Sequence, residues 1–202
     1  MQYPEKISKE QIDELEIKAF EGQVIVISEK DKEYKKAIKY LSRQQVIGFD
    51  TETKPSFQAH APRHTTALLQ LSGKSKTYLF RLHDLGIPKD LAEIMSNPYI
   101  IKVGAAITDD VRGLQKFRKF KGKNFLDLQK LVEEYGIKDK SVKKMACILL
   151  GYKISKSQQL SNWEASSYTE AQKRYASTDS WICREMFIKL LDSEMVEPKE
   201  EE

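Results

Sequence analysis

Several acidic residues of this chain sit where a carboxylate is expensive unless something uses it. In Val46-Ile47-Gly48-Phe49-Asp50-Thr51-Glu52, an apolar run ends in two acids spaced by two. Side chains alternate along a strand, so Asp50 and Glu52 share a face. They lie at the strand's end, where open α/β sheets bind ligands. Like charges so close raise each other's pKa unless a cation lies between them. Read alone, the pair is also compatible with a solvated acidic turn. In Val103-Gly104-Ala105-Ala106-Ile107-Thr108-Asp109-Asp110, helical geometry separates two adjacent aspartates. Asp110 falls on the stripe of Ile107, Leu114 and Phe117, whereas Asp109 shares the outer side with Arg112 and Lys116 and suits the positive end of the helix dipole. In the last helical stretch the apolar stripe Ala171, Tyr175, Ile182, Met186 and Leu190 takes in Asp179, one turn beyond Tyr175. A carboxylate there costs several kcal/mol (of order 3–5) unless paired or bound to metal.

Taken together, three distant segments each present inward acids that can reach one end of a sheet. A set of Asp50, Glu52, Asp110 and Asp179 without histidine or cysteine suits hard cations, Mg²⁺ or Mn²⁺. Two such ions about 3.5–4 Å apart can activate water and stabilise the leaving oxygen of a phosphodiester. Tyr175 can orient that water; with a free pKa near ~10 it suits this role better than that of a full base.

These segments resemble the motifs of the DEDDy 3′→5′ exonucleases, the family of ribonuclease D and the Werner-type exonuclease domain. Phe49-Asp50-Thr51-Glu52-Thr53 is similar to the first motif, Lys102-Val103-Gly104 through Asp110 and Leu114 to the second, and Tyr175-Ala176-Ser177-Thr178-Asp179 to the third. Ala67-Leu68-Leu69-Gln70-Leu71 and Leu160-Ser161-Asn162-Trp163-Glu164 are also alike in place and type. The resemblance implies a ribonuclease-H-like fold and two-metal hydrolysis of DNA or RNA from its 3′ end, releasing nucleoside 5′-monophosphates. It implies that Asp50 bridges both ions, that Glu52 and Asp179 hold the ion that activates water, that Asp110 holds the second, and that Tyr175 positions the nucleophile. Where family members often carry Arg-Pro-Leu before the last helix, this chain has Ala165-Ser166-Ser167-Tyr168. After residue 192 there is no room for ribonuclease D's accessory helical domains, so grip on the strand is expected from this domain or a partner.

A 3′ strand end needs cations and stacking surfaces. Lys116-Phe117-Arg118-Lys119-Phe120-Lys121-Gly122-Lys123 offers both, although its phenylalanines could equally turn inward. Thr51, Lys54, Arg63, His64, Lys153 and Lys156 are further candidates for contact with the nucleic acid, and Trp163 is expected to pack beneath the site.

The elements that must position these residues are legible from periodicity. Helices are expected at residues 8–20, capped by Ser8 and Gln11, and at 31–44. Strands follow at Val24–Ile27 and Val46–Thr51, then an antiparallel hairpin of Ala67–Ser72 and Thr77–Phe80. Pro88 opens a short helix ending near Asn97. Further strands are expected at Tyr99–Val103 and Phe125–Leu128, and helices from Thr108 and over 128–135, 139–150 and 169–192. The order predicts an α/β protein with a mixed sheet of about five or six strands and helices on both faces. The expected organisation is an N-terminal helical extension (1–22), an exonuclease domain (23–192) and an acidic, disordered tail (193–202).

Across 202 residues the formal net charge is +4, although Glu194–Glu202 holds five glutamates against one lysine, so the body is more basic than the whole. That favours an anionic partner. No stretch approaches the roughly 18 apolar residues of a membrane span, and the N-terminus lacks the apolar core of a signal peptide. Cys147 and Cys183 make neither a disulfide framework nor a zinc site. A cytoplasmic protein is the expectation.

Overall fold

The computed structural model describes residues 3–56 and 64–193. Six strands form one sheet: β1 (Gln23–Ile27), β2 (Val46–Thr53), β3 (Thr66–Ser72), β4 (Lys76–Arg81), β5 (Ile101–Gly104) and β6 (Phe125–Asp127), in the order β1-β4-β3-β2-β5-β6. β2, β3 and β4 run antiparallel in succession, while β1 pairs parallel with β4, β5 with β2, and β6 with β5. The short turn after Ser72 makes the β3–β4 hairpin, and a crossover through the helix at residues 108–115 joins the parallel pair β5 and β6.

β2 shows how the alternation is used. Ile47 and Phe49 join the core on one face of the sheet, with Leu69, Leu71, Tyr78 and Phe80. Helices α2 (Lys32–Leu41) and α4 (Lys89–Ser96) and the start of α5 (Thr108–Gln115) cover that face through Tyr34, Leu41, Leu91, Met95, Ile107 and Leu114. Val46 belongs to the opposite core, with Met145 of α7 (Val142–Leu150) and Ile182, Met186 and Leu190 of α8 (Glu170–Leu191). Two short helices, α3 (Leu82–Leu85) and α6 (Leu128–Leu131), complete the connections, the latter running into a 3-10 turn at Val132–Tyr135. Helices therefore cover both faces, and none of the described helices is long and apolar enough to cross a membrane.

α8 approaches the sheet more closely than side-chain packing allows. A Cβ at Gly48 would lie 1.9 Å from the Ser180 carbonyl oxygen, so the absence of a side chain lets the helix backbone rest on β2. Beneath the same turn, Ser72 Oγ lies 2.6 Å from Ser180 Oγ and 2.7 Å from Thr77 Oγ1, which ties α8 to β3 and β4 through buried hydroxyls. The capping box of Thr169 and Gln172 sets where α8 begins. All residues from Tyr175 to Ser180 are buried, whereas Ala171, expected on the apolar stripe, is exposed.

The N-terminal helix, α1 (Lys9–Glu14), is shorter than its sequence suggests. The Ser8–Gln11 capping box is present, but the chain turns extended at Leu15. Ile17 then forms a parallel bridge with Lys153, with Lys18 N donating to Lys153 O at 2.9 Å and Lys153 N to Glu16 O at 2.9 Å. Backbone bonds to the 153 segment thus replace the last helical turns, leaving Ile17 exposed while Ile12 and Phe20 stay buried. β5 likewise starts at Ile101 rather than Tyr99, which projects outward at 87% exposure. Cys147 and Cys183 are buried free thiols.

Gly48→Ala is expected to cost about 3 kcal/mol, the upper part of the range for overpacking, because the clash is with backbone. A thermal melt followed by circular dichroism should show a fall of roughly 6–12 °C.

Candidate active site

The C-terminal end of β2 carries Asp50 and Glu52 on the face that receives α8, and α8 brings Asp179 over them. One carboxylate oxygen from each of Asp50, Glu52 and Asp179 lies within 4.8 Å of the others. Asp179 is only 4% exposed. Asp110 comes from the other side of the sheet. α5 packs on the face of Phe49, and the Thr51 hydroxyl, on that same side of β2, donates to Asp110 Oδ1. The fourth acid is therefore held beside the other three by Thr51 rather than inside their nest. It remains close enough for its charge to act on Asp50. Asp109 is exposed and paired with Arg112 at 3.2 Å.

The electrostatics describe a site short of positive charge. Burial, then the charges of Asp179 and Asp110, push Asp50 well above the usual carboxylate range. Burial, then Asp50 and Asp179, push Glu52 up to about 9, against the pull of Lys156 and the nearby Gln70 amide. Burial raises Asp179 and Asp110 as well. The phenol of Tyr175 lies beside Asp179, and burial and the surrounding acids raise its pKa too, so it stays protonated at any ordinary pH. Trp163 is buried against Tyr175, ring centroids 6.0 Å apart, and also packs on Tyr168.

Two residues have a part here that periodicity did not assign. Gln70 pairs in register with Asp50, so its side chain points to the same face of the sheet. It is fully enclosed, and both its amide nitrogen and its oxygen reach no partner at hydrogen-bond geometry. The visible signal was a lone polar residue in the apolar run Ala67-Leu68-Leu69-Gln70-Leu71. Lys156, read from sequence as a phosphate contact, instead places Nζ 2.9 Å from both oxygens of Asp179.

The other expected strand contacts are spread out. Lys54 Nζ and His64 Nδ1 are both taken by Glu164, at 3.3 and 3.0 Å. Phe117 turns inward against the core and meets His83 edge to face, Arg118 Nε donates to the Ile87 carbonyl at 2.6 Å, and Lys116 is exposed. Arg63 lies outside the described residues. Lys153 Nζ caps the carbonyls of Ile12 and Asp13 at 3.0 and 2.8 Å. In the stretch that departs from the family pattern, Arg81 of β4 donates to the Ser166 carbonyl and lies over the Tyr168 ring. A cavity of about 210 Å³ opens beside Tyr175, between Ile17–Ala19 and Arg174.

This donor set fits divalent cations. Three carboxylates converge without a histidine or cysteine, the pKa of each is raised by burial, and the buried Gln70 amide beside them makes no bond at hydrogen-bond geometry. With that geometry in view, the wider relationships are consistent. The family model described as 3′-5′ exonuclease matches residues 25–193, and the chain belongs to that family. It is 34% identical over 150 residues to exonuclease 3′-5′ domain-containing protein 2 of Drosophila melanogaster, covering 72% of this chain and 25% of that protein. The exonuclease domain of Aedes aegypti Nibbler superposes with a TM-score of 0.74 at 24% identity, over 88% of this chain and 91% of that one. Trypanosoma brucei RNase D in complex with RNA U12 superposes with a TM-score of 0.76 at 18% identity, over 87% and 64% of the two chains. The fold is ribonuclease-H-like. The chain spans 11–29% of the length of the curated relatives it matches.

The raised pKa values have a sign for stability. A carboxyl that binds its proton more tightly folded than unfolded stabilises the fold fully at low pH, and that contribution is lost as pH rises through the folded value. For Glu52 the window runs from 4.5 to about 9. In EDTA the melting temperature should therefore fall between pH 5 and pH 9, whereas saturating Mn²⁺ should flatten or reverse the slope. Equal slopes with and without Mn²⁺ would contradict a cation site.

Proposed function

We propose that this chain is a two-metal-ion exonuclease that shortens DNA or RNA from its 3′ end and releases nucleoside 5′-monophosphates. The observation that carries the reading is the meeting of half-buried Asp50 and Glu52 with buried Asp179 from two elements, with Tyr175 one helical turn from Asp179. Asp50, Glu52 and Asp179 would hold one divalent ion, and Asp50 with Asp110 the second. Bound there, the ions would lower the pKa of water and neutralise charge on the phosphodiester.

The chain's own residues supply the rest. The charges of both Asp179 and Asp110 act on Asp50, so it is the carboxylate that would serve both ions. Thr51 fixes the rotamer of Asp110 from the far side of the strand. Tyr175, kept protonated, orients water through its hydroxyl and cannot itself take the proton. Trp163 packs on the Tyr175 ring and is itself backed by Tyr168. The basic body of the chain favours a polyanionic substrate, and the RNA complex of the structural relative makes RNA a substrate to try beside DNA.

The test is to incubate 5′-labelled single-stranded DNA and RNA with the chain and Mg²⁺ or Mn²⁺. A ladder of products shortened from the 3′ end is expected. Asp50→Ala should abolish it, and Tyr175→Phe should slow it by roughly 10²-fold, a typical effect of losing a positioned proton-handling group. Full-length label throughout, across both sugars and both ions, would refute the assignment.

A further inference from the structure

We propose that Lys156 is an internal counter-cation of the active site: it holds the acids together before metal arrives, and the first divalent ion must displace its amine from Asp179. The inference rests on the functional reading above and deepens it.

The geometry is that of a competitor. Nζ reaches both oxygens of Asp179 at 2.9 Å, so one lysine occupies the carboxylate symmetrically. Asp179 is one of the three acids whose oxygens converge, so the amine engages the very group a cation there would need. Among the described residues no other lysine, arginine or histidine is paired with Asp50, Glu52, Asp110 or Asp179. Lys54 is the next cation on the strand side, and Glu164 holds it. Two cations at one carboxylate repel strongly in a low-dielectric site, so occupation by the amine and by metal oppose one another.

The amine also has a way out. The Lys156 side chain is 32% exposed while that of Asp179 is 5%, so the ion pair is buried at one end and open at the other. Lys156 lies outside any helix or strand, between exposed Ser155 and Ser157. While paired with Asp179, its Nζ also lies 5.4 Å from the centroid of the Tyr175 ring, so the amine sits among the residues of the site itself. A role as a purely structural ion pair would leave metal affinity untouched; a counter-cation must affect it.

The experiment is an Mn²⁺ titration of the full chain by calorimetry, beside thermal melts in EDTA and at saturating Mn²⁺. It uses the unaltered protein, Lys156→Gln, Lys156→Met and Lys156→Arg. The Gln and Met variants are expected to bind the first Mn²⁺ at least roughly tenfold more tightly, because no cation has to be displaced. In EDTA they should melt roughly 5 °C or more below the unaltered chain, and Mn²⁺ should close that gap. Lys156→Arg, which keeps the charge, should follow the unaltered chain in both measurements. Unchanged or weaker Mn²⁺ affinity in a Gln or Met variant with a native circular dichroism spectrum would overturn the proposal. So would failure of both to fold even at saturating Mn²⁺, since a counter-cation is dispensable once an ion is bound. If the unaltered chain binds no Mn²⁺ at all, the functional reading itself fails; if it binds normally and only the variants fail to bind more tightly, the failure belongs to Lys156 alone.

Discussion

Acids that repel one another when charged are brought together in a half-enclosed space, and the architecture is arranged to keep them there. Asp50 and Glu52 are fixed by the register of β2, and Asp179 is fixed by α8 resting on the bare backbone of Gly48. Each of these carboxylates is driven toward its protonated form by burial and by its neighbours. The folded chain thus stores an unfavourable interaction that positive charge relieves. Hydrophobic burial on both faces of the sheet, together with the Thr77–Ser72–Ser180 hydroxyls, supplies the stability that tolerates it.

That constraint orders the surroundings of the site. Thr51 and Asp110 form a support on the far side of β2, so the fourth acid approaches the nest from a different layer of the protein. Trp163 and Tyr168 back Tyr175, and Lys156 takes up part of the unbalanced charge. Glu164 takes up the side chains of Lys54 and His64, so neither pairs with the acids. Cations available to a nucleic-acid strand are therefore not the same set as the cations present in sequence.

The resemblance to 3′→5′ exonucleases and the matching family model agree on the class of the chain over residues 25–193. Two local features of this chain lie one before the matched residues and one within them. The segment from Leu15 to Phe20 is laid against Lys153 and α8 instead of continuing a helix, and it borders the cavity beside Tyr175. The Ala165–Tyr168 stretch is held by Arg81 from β4 rather than by an arginine of its own.

Much of this was legible in the linear chain, because the signals are local. A period of two in β2 put Asp50 and Glu52 on one face, a period of 3.6 separated Asp110 from Asp109, and the Thr169–Gln172 box marked the start of α8. Periodicity failed where bonds between distant segments overrode it, as when backbone contacts with Lys153 ended the first helix early and left Ile17 outside. Tertiary structure alone decided that three acids form the nest and the fourth stands behind Thr51, that Gln70 lies in register with Asp50, that Phe117 turns inward, and that Lys156 grips Asp179. The reason is physical: face and cap are set by neighbours a few residues away, whereas register, helix-to-sheet distance and the pairing of charges depend on residues far apart along the chain, such as Asp50 with Gln70 or Lys156 with Asp179, meeting only in the folded state.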